Sequence, residues 1–208
     1  MVFDFDGTLF DTKKDIAASV NYALKSVGRE PLSEDVIWRA TGGGSEVLVR
    51  RIAEKATESQ REEILRKTLE YYSKHFADFV KPVDSVCAFL KKFAHKKKVI
   101  LSNKNKELID KILKKYDIDR CFIGVFGGDS FEKKKPDPAP LLEVIDIFGV
   151  KMEETIYIGD SMNDILTAKG AGLRCFIIPS GVSSVEEIEK AKPDKIFYDY
   201  TEIENFIE

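Results

Sequence analysis

The chain has 208 residues, 43% of them hydrophobic and 33% charged, which is enough for a substantial core and too apolar for a disordered chain. Its 33 basic residues are outnumbered by 36 acidic ones, and the net charge of -3 leaves no overall basic field to attract nucleic acid or an anionic membrane. Cys87, Cys121 and Cys175 fit neither a disulfide framework nor a CxxC site and read as small buried hydrophobes in a reducing cytoplasm, while no stretch reaches the roughly 18 apolar residues of a membrane span.

The first strand is read at residues 1–5. From about Thr12 to Phe79 helical periodicity replaces any strand pattern: Ile16, Val20, Leu24 and Val27 form one stripe ending at Gly28, and Ile64, Leu65, Leu69, Tyr72 and Phe76 form a longer one. This predicts an all-helical unit, residues 12–81, inserted into a core made of residues 1–11 and 82–208, with two neighbouring linkers as hinges and the second of them near Lys81-Pro82. Trp38 and the Tyr71-Tyr72 pair read as the core of that unit.

Beyond it, Val86, Phe89, Leu90 and Phe93 make a helix capped at Asp84; Leu108, Ile109, Ile112, Leu113 and Tyr116 make a second; Leu141, Leu142, Ile145 and Phe148 make a third before Gly149. Short β-branched and aromatic runs at 99–101, 122–126, 155–158, 175–178 and 195–198 read as strands. Alternating strands and helices predict an α/β fold: a Rossmann-like parallel sheet with right-handed helical crossovers on both faces. The lysine runs at 96–98 and 133–135 read as solvated faces, except that Lys135 directly precedes Pro136-Asp137-Pro138.

In a parallel sheet, ligands collect beyond the carboxyl ends of the strands. Those ends carry Asp4-Phe5-Asp6-Gly7-Thr8, Ser102-Asn103 and Gly159-Asp160-Ser161-Met162-Asn163-Asp164. Clustered carboxylates repel one another unless a hard cation sits between them, and Mg²⁺ takes oxygen ligands while keeping waters and substrate phosphates. Asp4 and Asp6, two apart in a strand, share a face, so one can attack while the other moves a proton. Lys135 neutralises phosphoryl charge and Ser102 donates a hydrogen bond to the same group. Within the helical insertion, the glycines of Thr41-Gly42-Gly43-Gly44-Ser45 let backbone amides approach a ligand. Ser45 caps the next helix and presents its mildly positive end to an anion such as a carboxylate. Asp129 and Asp137 read as turn formers, and Arg50 and Arg51 as surface charges.

These stretches resemble the haloacid dehalogenase superfamily of phosphohydrolases, whose four motifs stand here in order as DFDGTL, a strand ending in Ser102, KPDP and GDSMND. The resemblance implies that Asp4 is the nucleophile, forming an aspartyl phosphate, and that Asp6 is the general acid for the leaving alcohol and then the base for water. It implies Mg²⁺ held by the Asp4 carboxylate, the Asp6 carbonyl and Asp160, with Asp164 supporting it directly or through water. Ser102 and Lys135 match the phosphoryl-binding positions, with Thr8 and Asn103 as neighbours on the substrate. The insertion resembles the family's helical cap, where Gly43, Gly44 and Ser45 would meet the substrate, and Gly127-Gly128-Asp129 ahead of the KPDP motif resembles phosphoglycolate phosphatases.

The implied activity is Mg²⁺-dependent hydrolysis of a small phosphate monoester by a monomer or weak homodimer with no nucleic-acid or membrane partner. A sugar phosphomutase of the β-phosphoglucomutase type, a pyrophosphatase or nucleotidase, and a non-catalytic phosphate-binding regulator are the alternatives. The first strand has almost nothing before it, where relatives usually carry several more residues, which implies a trimmed N-terminus.

Overall fold

The computed structural model describes residues 1–207. The chain enters through β1 (Val2–Phe3), turns through β2 (Phe10–Asp11), and runs through α1 (Lys13–Ser26), α2 (Glu34–Arg39), α3 (Ser45–Ile52) and α4 (Glu58–His75) before returning through β3 (Lys81–Pro82). Strands and helices then alternate: α5 (Val86–Lys92), β4 (Val99–Leu101), α6 (Lys106–Lys115), β5 (Gly124–Phe126), α7 (Ala139–Phe148), β6 (Ile156–Gly159), α8 (Met162–Gly170), β7 (Arg174–Ile177), α9 (Val185–Ala191), β8 (Lys195–Ile196) and α10 (Tyr200–Ile207). Six strands pair in parallel in the order β5-β4-β1-β6-β7-β8, the α/β arrangement that the alternation predicts.

The sheet is buried on both faces, and its side chains sort by the two-residue period of a strand. Val2, Val99, Leu101, Tyr157, Cys175 and Ile177 enter one core with Leu141, Val144 and Ile165. Phe3, Ile100, Ile158 and Phe176 enter the other, against Phe89, Ile109, Ile112 and Tyr200. β1 is shorter than residues 1–5. The Asp4 amide still donates to the Ile158 carbonyl at 2.9 Å, but the Phe5 carbonyl then accepts from Leu9 and Phe10, and the chain curls away from the ladder. Helix α5 is capped by Ser85 in the left-handed region at φ 66° rather than by Asp84. The cysteines are not uniformly buried: Cys175 is, Cys121 is partly covered, and Cys87 is exposed.

The four helices between β2 and β3 have a core of their own, Ala17, Val20, Leu24, Ile37, Leu48, Val49 and Ile64. Thr57 and Gln60 form a capping box that starts α4. The linkers are themselves paired: β2 and β3 form an antiparallel ribbon with Phe10 opposite Pro82 and Asp11 opposite Lys81. Asp15 Oδ1 accepts from the Phe79 amide at 2.9 Å and ties the base of α1 to the returning strand. Among the described residues no helix is long and apolar enough to cross a membrane.

Candidate active site

From β1 the chain passes to β4 on one side and β5 beyond it, then returns to β6 on the other side of β1. Strand order therefore reverses around β1, the switch point at which open parallel sheets leave a crevice. Asp4 follows β1, Ser102 follows β4 and Asp160 follows β6, so three separate segments deliver polar side chains to one rim.

Carboxylate oxygens of Asp4, Asp160 and Asp164 lie within 4.8 Å of one another, and all three residues are buried. Lys135 holds the group together: its Nζ stands 2.8 Å from Asp4 Oδ1, 2.7 Å from Asp164 Oδ1 and 2.9 Å from the Tyr157 hydroxyl. Asp164 is saturated, because Oδ1 also accepts from the Tyr157 hydroxyl at 3.0 Å and Oδ2 accepts from the Asp160 amide, the Ser161 amide and the Ser161 hydroxyl. It closes the N-terminal turn of α8 and fixes Lys135, leaving Asp4 and Asp160 with lone pairs to offer. Asp4 Oδ1, despite its ion pair, accepts no aligned hydrogen bond. Ser180 donates its hydroxyl to Asp160 Oδ2.

Burial pushes the Asp4 carboxyl up to about 6 against the pull of Lys135, with Asp164 adding like charge. Burial, then the charges of Asp164 and Asp4, push Asp160 well above the carboxylate range. Burial would raise Asp164 too, but Lys135 and Ser161 hold it below its usual value. Burial alone would lower Lys135, and its carboxylate partners outweigh that and hold it charged. Two desolvated carboxylates facing one another make a donor set that a divalent cation fits.

Asp6 does not share this cluster. Its Oδ1 accepts from the Thr12 hydroxyl at 2.8 Å and from Lys104 Nζ at 3.0 Å, and the same ammonium donates to the Tyr72 hydroxyl of α4 at 2.5 Å. The two aspartates thus face different cations, because the turn after Phe5 ends the strand period before Asp6 is reached. Burial, opposed in part by Lys104, pushes the Tyr72 phenol up to about 12. A cavity of about 140 Å³ lies between sheet and helical unit, lined by Asp4, Asp6, Asp160 and Ser102 from below and by Gly44, Ser45, Thr68 and Tyr72 from above.

Trp38 Nε1 donates to the Ser180 carbonyl at 3.0 Å and Asn103 Nδ2 to the Gly42 carbonyl at 2.8 Å, and with the Lys104–Tyr72 contact they join the helical unit to the core. Asn103 also donates to the Lys135 carbonyl and accepts from its amide, so it braces Lys135 while lining the cavity. Thr8 is fully buried with an unpartnered hydroxyl and lies outside the cavity wall, as does Gly43, whose position would place a Cβ 2.7 Å from Val47. Ser45 is the first residue of α3 and not its cap. Gly44, at φ 86°, takes the cap position, since only a residue without a Cβ turns there at no cost. Arg51 is not merely a surface charge, for it donates to the Ala40 and Thr41 carbonyls and fixes the glycine loop. Lys104, Tyr72, Tyr157 and Ser180 escape a reading by motif. An isolated lysine or tyrosine has no period, and only tertiary contact shows its partner.

Fold and site together define an α/β enzyme with a buried acidic centre at the switch point of its sheet, beneath an inserted helical unit. Residues 1–178 match the haloacid dehalogenase-like hydrolase family model. The chain is 32% identical over 217 aligned positions to the phosphoglycolate phosphatase of Psychrobacter arcticus, covering all of this chain and 94% of that one. It is 33% identical over 201 positions to phosphoglycolate phosphatase 1 of Pseudomonas aeruginosa, covering 93% and 74%. The crystal structure of a predicted phosphoglycolate phosphatase from Haemophilus somnus superposes with a TM-score of 0.93 at 29% identity, covering 100% of this chain and 96% of that one. The chain belongs to the haloacid dehalogenase-like hydrolase family and is a phosphoric monoester hydrolase.

Proposed function

We propose that the protein is a Mg²⁺-dependent phosphatase that hydrolyses a small phosphate monoester of the phosphoglycolate type through a phosphoenzyme at Asp4. Residues 12–81 act as a cap over a core made of the rest. One observation carries this reading: buried Asp4 stands beside Lys135 and Asp160, while Asp6 lies outside that cluster with Lys104 as its own cation.

Asp4 and Asp160, with the Asp6 carbonyl, would hold the ion, which when bound lowers the carboxylate repulsion and offsets phosphoryl charge. Asp4 attacks phosphorus as the ester P–O bond breaks, and Asp6 gives its proton to the departing alkoxide oxygen. Asp6, now ionised, takes a proton from water, whose oxygen attacks phosphorus and releases the Asp4 carboxylate and inorganic phosphate. Lys135 stays charged between Asp4 and Asp164 and offsets charge that builds on the phosphoryl oxygens. The Ser102 hydroxyl lines the same cavity and supplies a donor.

Size supports a compact substrate. The cavity, about 140 Å³, falls below the roughly 300 Å³ at which drug-sized sites begin. Phosphoglycolate is favoured over a nucleotide or a sugar phosphate, and the relatives named for that substrate agree. Phosphate release measured across phosphoglycolate, pyrophosphate, nucleotides and sugar phosphates tests this. Phosphoglycolate should lead, Asp4→Asn should abolish release while leaving the circular-dichroism spectrum unchanged, and EDTA should stop it. Full activity of Asp4→Asn would sink the mechanism, and isomerised sugar phosphate as the product would make the enzyme a mutase.

A further inference from the structure

Lys104 is a buried cation in the cavity wall, paired with Asp6 and not with the cluster of Asp4, Asp160 and Asp164. Its side chain is 4% exposed, and it is the lysine or arginine that lines the cavity among the described residues. An ammonium has three donors. Lys104 spends one on Asp6 and one on the Tyr72 hydroxyl, and a third is left for whatever enters.

The helix above supplies a second, independent sign. Thr68 lies one turn before Tyr72 on α4, hence on the same face. It is 96% buried by its 4% exposure, it lines the cavity, and its hydroxyl has no hydrogen-bond partner. The wall around these groups is apolar, with Ile16, Leu48 and Leu69. A buried hydroxyl without a partner and a buried ammonium on the wall of one cavity make a polar patch among apolar side chains. A substrate carrying only a phosphoryl group and a hydrocarbon tail would leave both groups facing carbon.

We propose that Lys104, Thr68 and Tyr72 form a subsite for the second anionic group of the substrate, a carboxylate a carbon or two from the phosphoryl oxygen, and that this subsite sets the preference for carboxylated over neutral phosphate esters. A carboxylate has acceptors for the lysine and threonine donors together, and Lys104 offsets its charge once Asp6 carries the proton it delivers to the leaving group. A second phosphate would carry the same sign of charge, and comparison of phosphoglycolate with pyrophosphate separates the two. The subsite rests on the phosphatase reading for its place in turnover. Its binding role is measured apart from it.

Phosphoglycolate and ethyl phosphate share a two-carbon chain, and only the first has the carboxylate. The wild-type enzyme should favour phosphoglycolate by about tenfold or more in kcat/KM, chiefly through KM, and Lys104→Met should erase about tenfold of that preference. Thr68→Val should erase a smaller share. Equal losses on both esters in Lys104→Met would show that Lys104 only holds Asp6 in place and would overturn the subsite; so would equal wild-type use of both esters, or a preference for pyrophosphate. Should Lys104→Met not fold, Thr68→Val decides alone: a greater loss on phosphoglycolate than on ethyl phosphate supports the subsite, and equal losses overturn it. Calorimetry on Mg²⁺-loaded Asp4→Asn protein separates the two readings. Tighter binding of phosphoglycolate than of ethyl phosphate, lost when Lys104→Met is added, supports the subsite even if the wild type turns over no ester, in which case the phosphatase reading alone falls. Equal binding of the two esters overturns the subsite.

Discussion

Gly7 stands in the left-handed region at φ 82°, and a Cβ there would lie 2.4 Å from Asp160 Oδ2 and 2.8 Å from the Ser180 hydroxyl. The glycine lets the loop after β1 close onto the end of β6. Gly7→Ala should therefore cost ~1–3 kcal/mol of stability from backbone strain. It should also lose about a hundredfold in kcat, since it pushes Asp160 out of register with Asp4. Urea unfolding and phosphate release check both, and wild-type values would show that the loop has room. At Asp4 the sign of the pH dependence can be worked out. Its carboxyl moves from 3.8 to about 6 on folding because burial outweighs Lys135. Between those values the folded chain keeps a proton that the unfolded chain has lost, so this group makes stability fall as pH rises through the window. In EDTA at pH 7, Asp4→Asn should melt higher than the wild type, and the gap should close as the pH is lowered toward 4. An Asn variant that melts lower at pH 7 would show that the ion pair with Lys135 outweighs the desolvation of the carboxylate. Residues of this kind were legible where a motif isolates them. Asp4, Asp160 and Lys135 stand out by spacing and neighbours. Lys104 is one lysine among several in a charged stretch, and its burial is decided by Tyr72, which lies 32 positions away. Lys98 makes the same point: it sits in a lysine run that reads as a solvated face, yet it is buried with its Nζ donating to the Phe93 and Lys96 carbonyls.

Elements were legible to the degree that their period exceeds their ends. β4, β6 and β7 carry enough apolar, β-branched residues to announce themselves, and α1 and α4 repeat their stripes for several turns. The β2–β3 ribbon did not, because two residues per strand make no alternation and its pairing joins positions on either side of the whole helical insertion. That ribbon ties the entry of the insertion to its exit. Across from it, α2 meets the sheet through Trp38, whose indole N–H reaches the Ser180 carbonyl, next to the side chain that Ser180 gives to Asp160. Removing this single neutral hydrogen bond by Trp38→Phe keeps the aromatic packing and should weaken closure by about 1 kcal/mol. KM should rise several-fold with a smaller change in kcat, and amide hydrogens of α2 should exchange faster. Unaltered exchange and KM would mean that the indole contributes packing alone.

At the scale of the molecule, the two cores that flank the sheet and the core of the helical insertion meet over a shared polar seam. The sheet places its acids by strand order, and each acid is secured by its neighbours: Asp164 by α8 and Lys135, Asp160 by Ser180, Asp6 by Lys104. What the described residues leave unbalanced is the space between Asp4 and Asp160, where carboxylates face each other with their protons held up by burial. A dication bound there binds the folded chain and has no equivalent site in the unfolded one, so its affinity appears as stability. At a Mg²⁺ concentration about a hundred times its Kd the gain is about 2.7 kcal/mol. For a chain of this length that is a rise in Tm of ~5–10 °C. Thermal unfolding followed against Mg²⁺ concentration after EDTA treatment should show this rise and saturate. Asp160→Asn should remove most of it, and NaCl at matched ionic strength should not reproduce it. A Tm that ignores Mg²⁺, or that climbs equally in Asp160→Asn, would mean that the acidic centre is balanced by protons and Lys135 alone.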